Sequence, residues 1–324
     1  MSSVEVIKNP PRRRDVYEGL TGTIRASIIA ESFLFVGSGR RSIGISEENV
    51  RRVLSGKRNF RQAAVELSQR IKLEHDEFSV SGGRAVVPGS SVKGNVRSRI
   101  ELSIVPSAGK VISCLVRASR VSSEPGRGTQ GWRHWRIWRE GIEAQRGPPC
   151  DMTRGQTVCK VCDLFGSAGL ISLIHFSDFQ MGDGGLEPLS LDHGIKLMSA
   201  RPGSVFNGSI AFMNLSPDEL GLLLFGMGIR NSAEGLTILF GKLKYRKEFS
   251  GRQFGRGKFK VERIELSDVS KPLVTDGGEL IAPGRSVSGP ELNGVLRALR
   301  KAMLDSFSNY LVEIMEVERL HGIS

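Results

Sequence analysis

This 324-residue chain has no long apolar run: nothing in it approaches the ~18 consecutive apolar residues that cross a bilayer. Its beginning, with Pro10-Pro11-Arg12-Arg13-Arg14, has no apolar segment of the kind a secretory leader needs. Those two absences predict a cytoplasmic protein without a membrane partner. Cysteine is scarce, four in all, and Cys150, Cys159 and Cys162 lie close together; this fits metal binding and argues against a disulfide framework. The five histidines are scattered, and no Ser/His/Asp order or paired carboxylates stand in a recognisable context, so no catalytic constellation is predicted. Acidic residues are the minority charge, 34 against 46 Lys and Arg, a net +12. Such a field favours polyanion partners, because each neutralised phosphate releases condensed counterions.

Enough apolar residues are present for a real core, 39% of the chain, and the length suits one large domain or two ordinary ones. Residues 1–20 are polar and basic and read as a flexible arm. From Thr21 to Val36, Ile24, Ala26, Ile28 and Ala30 alternate with other residues as in a half-buried strand, ending at Gly37-Ser38-Gly39-Arg40-Arg41. Residues 46–74 read as a helical insertion, with Val50, Val53 and Leu54 on one apolar face and Ala64, Leu67 and Ile71 on another. A hairpin is expected around Gly82-Gly83, then a helix burying Val92, Val96 and Ile100 at i, i+4, i+8. Residues 106–166, with all the Trp and Cys, break the pattern and form an insertion. Strands follow at 169–179 and 204–213. Ser216-Pro217-Asp218-Glu219 then supplies a cap, an N1 proline and a capping box for a helix to about Arg230. Strands at 236–240 and 259–266 and a long amphipathic helix over 291–317 complete the chain, which reads as residues 21–324 in one domain. Without the insertions the order is βαββαβ, an α+β, ferredoxin-like plan shared by RNA-recognition (RRM-like) domains.

Three stretches carry chemistry. Val87-Pro88-Gly89-Ser90-Ser91-Val92-Lys93-Gly94-Asn95-Val96-Arg97 places two hydroxyls at a helix start, where unpaired N–H groups need caps, and sets Lys93 and Arg97 one turn apart. That combination suits a phosphate. Cys159-Lys160-Val161-Cys162 is a knuckle in which two thiolates grip one structural zinc; Cys150 and His134 complete the tetrahedron, with Cys114 the alternative to His134. Gly251-Arg252-Gln253-Phe254-Gly255-Arg256-Gly257-Lys258 is a glycine-rich basic loop whose N–H groups can approach phosphates and whose Phe254 can stack on a base. Arg40 and Arg41 offer the same kind of contact. Trp132, Trp135 and Trp138 read as packing.

With these pieces in place, the chain resembles the RAMP superfamily, the repeat-associated RNA-binding proteins of CRISPR systems, and most of all the backbone subunits of type III effector complexes. The matching stretches are Val87–Gly94 with Arg97, Cys159-x-x-Cys162-Asp163-Leu164-Phe165-Gly166-Ser167, and the loop ending Gly255-Arg256-Gly257. The resemblance implies a core that stacks along a CRISPR RNA beside other RAMP, large and small subunits. Ser90, Ser91, Lys93, Arg97, Arg40, Arg41, Arg252, Gly255, Arg256, Gly257 and Lys258 would hold guide phosphates, and a thumb hairpin would enter the guide–target duplex. Target-cleaving members carry something similar to His-x-Gly-x-Gly after strand one and a nearby aspartate. Here Phe35 stands for the histidine, no aspartate lies between Asp15 and Asp76, and Glu47 or Glu48 is a loose substitute. The expectation is therefore a non-cleaving, guide-binding scaffold. The alternatives are a metal-dependent RAMP endoribonuclease and a zinc-stabilised RNA-binding protein outside CRISPR.

Overall fold

Apolar residues at every second position seat Leu20–Ala30 (β1) at the centre of the sheet: Ile24, Ala26, Ile28 and Ala30 point into the core while Arg25 faces solvent. A computed structural model describes residues 4–44, 47–56, 59–69, 72–115, 123–143, 146–275 and 278–323. After β1 the main elements are the helix Gly89–Ser103 (α1), the strands Phe179–Asp183 (β2) and Val205–Leu215 (β3), the helix Pro217–Gly226 (α2), the strand Arg256–Leu266 (β4) and the helix Gly289–Phe307 (α3). The four strands lie in the order β4–β1–β3–β2, every neighbour antiparallel. Ile174–Phe176 also pairs with β3, and Arg84–Val87 extends the sheet beyond β2.

α1 and α2 pack on each other and cover the core. Val92, Val96 and Ile100 are fully buried, and a Cβ on Gly226 would sit 2.6 Å from Ile100, so only glycine lets the two helices meet there. The α2 start carries the capping box anticipated at Ser216 and Glu219. The Gly82-Gly83 hairpin is present, both glycines at positive φ as a tight two-residue turn needs.

Several expectations need correction. The arm is seated rather than loose from residue 4 on: Glu5–Val6 pairs with Lys110–Val111, Asn9 bridges Val158, and Arg14 bonds Asp163 at 2.9 Å. Arg12 forks onto the buried Glu219, 2.6 Å from Nη1 to Oε2, where Lys160 also arrives at 2.7 Å. A buried carboxylate of this kind holds the chain because leaving it unpaired is costly. The insertion after β1 is a hairpin, Gly37–Gly44 with Lys72–Phe78, that carries two short helices, Glu47–Ser55 and Phe60–Gln69. Of the two apolar faces expected there, Val53 is buried while Leu54 and Ala64 are exposed; Ile71 lies outside the described residues. The last long helix ends at Phe307. A short separate helix, Glu316–Gly322, then turns back to pack Leu320 with Trp135 and Trp138. Among the described residues, no helix is long and apolar enough to cross a membrane.

Arg12 and Lys160 hold the Glu219 carboxyl at about 2, well under its ordinary 4.5 and against the opposing effect of burial. A depressed carboxylate pKa stabilises the fold above the unfolded value and loses that contribution as pH falls from about 4.5 toward 2. Arg12→Ala is expected to cost on the order of 3 kcal/mol at neutral pH and to move the acid-unfolding midpoint upward, read by tryptophan fluorescence.

Candidate functional site

Four thiols converge where the chain doubles back on itself. Cys114 follows the strand paired with the arm, Cys150 and Cys159 flank the loop before the short helix Lys160–Phe165, and Cys162 lies on that helix. All four are buried, and their Sγ atoms lie within 4.8 Å of one another. A tetrahedral zinc with ~2.3 Å Zn–S bonds needs sulfurs about 3.8 Å apart, so the cage fits a tetrathiolate metal. Donors already point at the sulfurs: Cys159 N–H to Cys150 Sγ at 3.2 Å, Cys114 N–H to Cys159 Sγ at 3.4 Å, and Arg97 Nη2 to Cys162 Sγ at 3.2 Å. Hydrogen bonds from its neighbours hold the Cys150 thiol well down, while the same neighbours push Cys162 up, because crowded thiols resist ionising together without a cation.

The fourth side chain of the cluster is Cys114, and His134 lies apart from it. His134 Nδ1 bonds the Tyr245 hydroxyl at 2.8 Å, in a separate cluster with Trp135 and Trp138. Burial, with Lys244 nearby, pushes its pKa down to about 4, which keeps it neutral and structural. The sequence favours His134 over Cys114, but Cys114, just beyond the Lys110–Val111 strand that pairs with the arm, is the one that lies with the other thiols.

Arg97 also departs from expectation. It is 7% exposed, bonded to Glu101 at 2.9 Å, to the Gly166 carbonyl at 2.7 Å and to Cys162. Gly166 sits at φ +80°, and a Cβ there would meet the Leu170 carbonyl at 2.8 Å, so the Phe165-Gly166 turn needs glycine to present that carbonyl. Arg97 therefore serves the cysteine cage rather than the surface. A second guanidinium, Arg146, stands close by and donates to the carbonyls of Glu101, Ile104, Ser113 and Gly141; among the described residues it has no carboxylate partner. Burial pulls it down to about 10, and Glu101, Cys114 and Cys159 oppose that pull. Sequence reading missed Arg146, which had no spacing to mark it.

The hydroxyls of Ser90 and Ser91 lie in the first turn of α1, exposed. The N-cap is Pro88, and the Gly89 N–H is capped by Asp178 Oδ1 at 2.9 Å. Lys93 is half-buried. In the glycine loop the sequence-predicted residues divide. Phe254 is 1% exposed and cannot stack on a base. Arg256 is turned inward, donating to the carbonyls of Phe254, Arg246 and Lys247. Lys258 pairs with Glu31 and Glu234. Gly255 at φ +70° bonds Phe33, and Gly257 is in the β4 ladder, so both glycines shape backbone.

What remains outside converges at the exit of β1. Arg252 stacks over the Phe33 ring, Arg246 over Phe249, and Lys242 over Phe35. Arg41 and Lys242 share Asp76, at 2.9 and 3.1 Å, and Arg40 is exposed beside them on the hairpin. The segment Phe33–Phe35 thus joins the Arg40–Arg41 hairpin to the glycine loop. The α1 start lies elsewhere, beside β2. Ile45 and Ser46 lie outside the described residues, and Glu48 is paired with Arg52 at 2.7 Å.

A family model described as RAMP superfamily matches residues 27–284. Among solved structures, the crystal structure of Thermofilum pendens Csc2 is similar over 95% of this chain and 82% of that one, at 12% identity and a TM-score of 0.35. That likeness is too loose to carry an argument. No curated protein matches the chain.

Cys114→Ser is expected to abolish stoichiometric metal, whereas His134→Ala keeps about one metal per chain, both read by elemental analysis of protein purified without chelators. Arg97→Ala should retain the metal but release it to a competing chelator about 10- to 100-fold more readily.

Proposed function

The chain belongs to the RAMP superfamily, and from that premise we propose that it is an RNA-binding subunit of a CRISPR ribonucleoprotein of the type III kind, holding guide backbone without cutting. The strand order β4–β1–β3–β2, with two crossover helices, supports reading its core as the split-βαβ, RRM-like plan. The observation that carries the functional reading is the basic edge at the exit of β1. There, Arg40, Arg41, Lys242, Arg246 and Arg252 gather on two segments that the Phe33–Phe35 strand exit ties together. Cations braced on aromatic rings keep their charge toward solvent, and that arrangement suits a phosphate chain, since such contacts position RNA but read no bases. Base pairing to the guide would then carry the sequence information.

The cysteine cage is proposed to hold zinc, with Cys114, Cys150, Cys159 and Cys162 as its four ligands. Four protein ligands leave no position for water, so the ion would be structural, supplying folding energy. Arg97 would orient Cys162, Arg146 would offset the negative charge of the thiolates, and both would keep the insertion against α1. The partners proposed are CRISPR RNA, target RNA and neighbouring subunits in a cytoplasmic complex.

Absence of an aspartate between Asp15 and Asp76 supports the non-cleaving reading. Assembled with its guide and given Mg²⁺, the complex is expected to lose no cut of a matched RNA on Glu47→Ala; loss of one cut would establish the nuclease reading instead.

RNA affinity should fall when Arg40, Arg41 and Arg252 are changed together to Ala, with the slope of log K against log salt reduced by roughly 2, at ~0.7 per phosphate contact. Arg256→Ala, by contrast, should lower the melting temperature without changing that slope, because its guanidinium is bonded to carbonyls.

A further inference from the structure

The helix-free face of the sheet carries an arrangement that the fold by itself would disfavour. β4 follows β1 in simple antiparallel register from Gly257 opposite Ala30 to Val261 opposite Ala26. Without interruption, the next pair would set Glu262 opposite Arg25, an attractive cross-strand ion pair. A β-bulge intervenes, and the residue that faces Arg25 is Arg263. Like charges directly opposite one another across a sheet are destabilising, and bulges re-aim side chains. Glu262, displaced by the bulge, accepts instead from Ser27 Oγ at 3.0 Å. Among the described residues, neither guanidinium makes an ion pair, and both residues are exposed.

The surroundings complete a site. Arg25 and Arg263 line an open depression of about 540 Å³ with Gln180, Asn207 and Ser209, so uncharged donors stand beside the cations. Their row continues across β3 at Ser209, which exchanges hydrogen bonds with Ser177. Asp178, the next residue, caps Gly89 at the start of α1. The two carboxylates that line the depression, Asp178 and Glu262, are thus engaged in bonds of their own. Lys260 sits opposite Ser27, one same-face row away, about 7 Å along the strand. No Phe, Tyr or Trp stands in these rows, so a base has no ring to stack on.

We infer that this face is a second RNA-backbone site, in which the bulge-paired Arg25 and Arg263 hold phosphates of a single strand that runs toward the start of α1. This rests on the RNA-binding reading above and extends it from the basic edge to the sheet. The contact is made to phosphate and sugar alone, and is therefore independent of sequence.

Full-length protein titrated with a 5′-labelled unstructured RNA, followed by fluorescence anisotropy over a range of KCl, tests it. Arg25→Gln with Arg263→Gln is expected to weaken binding roughly tenfold and to lower the salt slope by about 1.4, while the Lys–Lys variant keeps most of both. An abasic strand of equal length should bind the wild type as tightly as the natural one and respond to the Gln pair in the same way. Unchanged affinity and slope in the Gln pair overturn the inference and leave the RNA-binding reading standing. Wild-type protein that binds neither strand overturns both. If the Gln pair loses binding to polyglutamate while its RNA slope is unchanged, the face serves an acidic protein and the inference is also overturned.

Discussion

Two buried arginines on one helix organise this protein. Arg97 and Arg99, 7% and 5% exposed, leave α1 in different directions. Arg97 reaches Glu101, the Gly166 carbonyl and the cysteine cage, while Arg99 reaches the Gly226 carbonyl at the end of α2 and Glu316 at 2.8 Å on the last helix. A guanidinium taken out of water is tolerated only when its donors are met, and removing one partner typically costs several kcal/mol. The cysteine insertion and the C-terminal segment are thereby fixed to the same helix. That helix also contributes Val92, Val96 and Ile100 to the core under the sheet.

The positive charge of the chain divides accordingly. One part is internal: Arg12 and Lys160 on Glu219, Arg97 and Arg146 beside the thiols, Arg99 on Glu316, Arg256 on three carbonyls. Most of these side chains connect elements distant in sequence, and their donors are taken up by acceptors of the fold. Of the cations presented outward, two groups stand out, the edge at the exit of β1 and the helix-free sheet face. At the edge, aromatic rings and Asp76 brace the cations; on the face, a bulge aligns them. Net charge alone does not distinguish the internal part from the outward one.

Much of the architecture was legible beforehand because local rules and tertiary packing agree. The alternation in β1 and the i, i+4, i+8 stripe of α1 each specify one face, which is buried as its pattern demands, and the capping box at Ser216 marks where α2 begins. Prediction failed where a side chain had two plausible destinations. Arg97 follows Lys93 by one turn, and periodicity cannot say that the turn at Gly166 brings an acceptor to it. His134 was preferred to Cys114 in the sequence, and only the fold shows that Cys114 is the one that lies with the other three thiols.

What the sequence determined by itself was the order of the core elements, the excess of positive charge and the clustering of thiols around the cysteine knuckle, because hydrophobic period, net charge and close cysteine spacing are properties of residues and short stretches. Tertiary structure alone decided which cations face water, which cysteine closes the cage, and that Arg25 stands opposite Arg263 rather than Glu262. Those outcomes depend on strand register and chain reversal, and a one-residue bulge changes which side chains meet across an entire row.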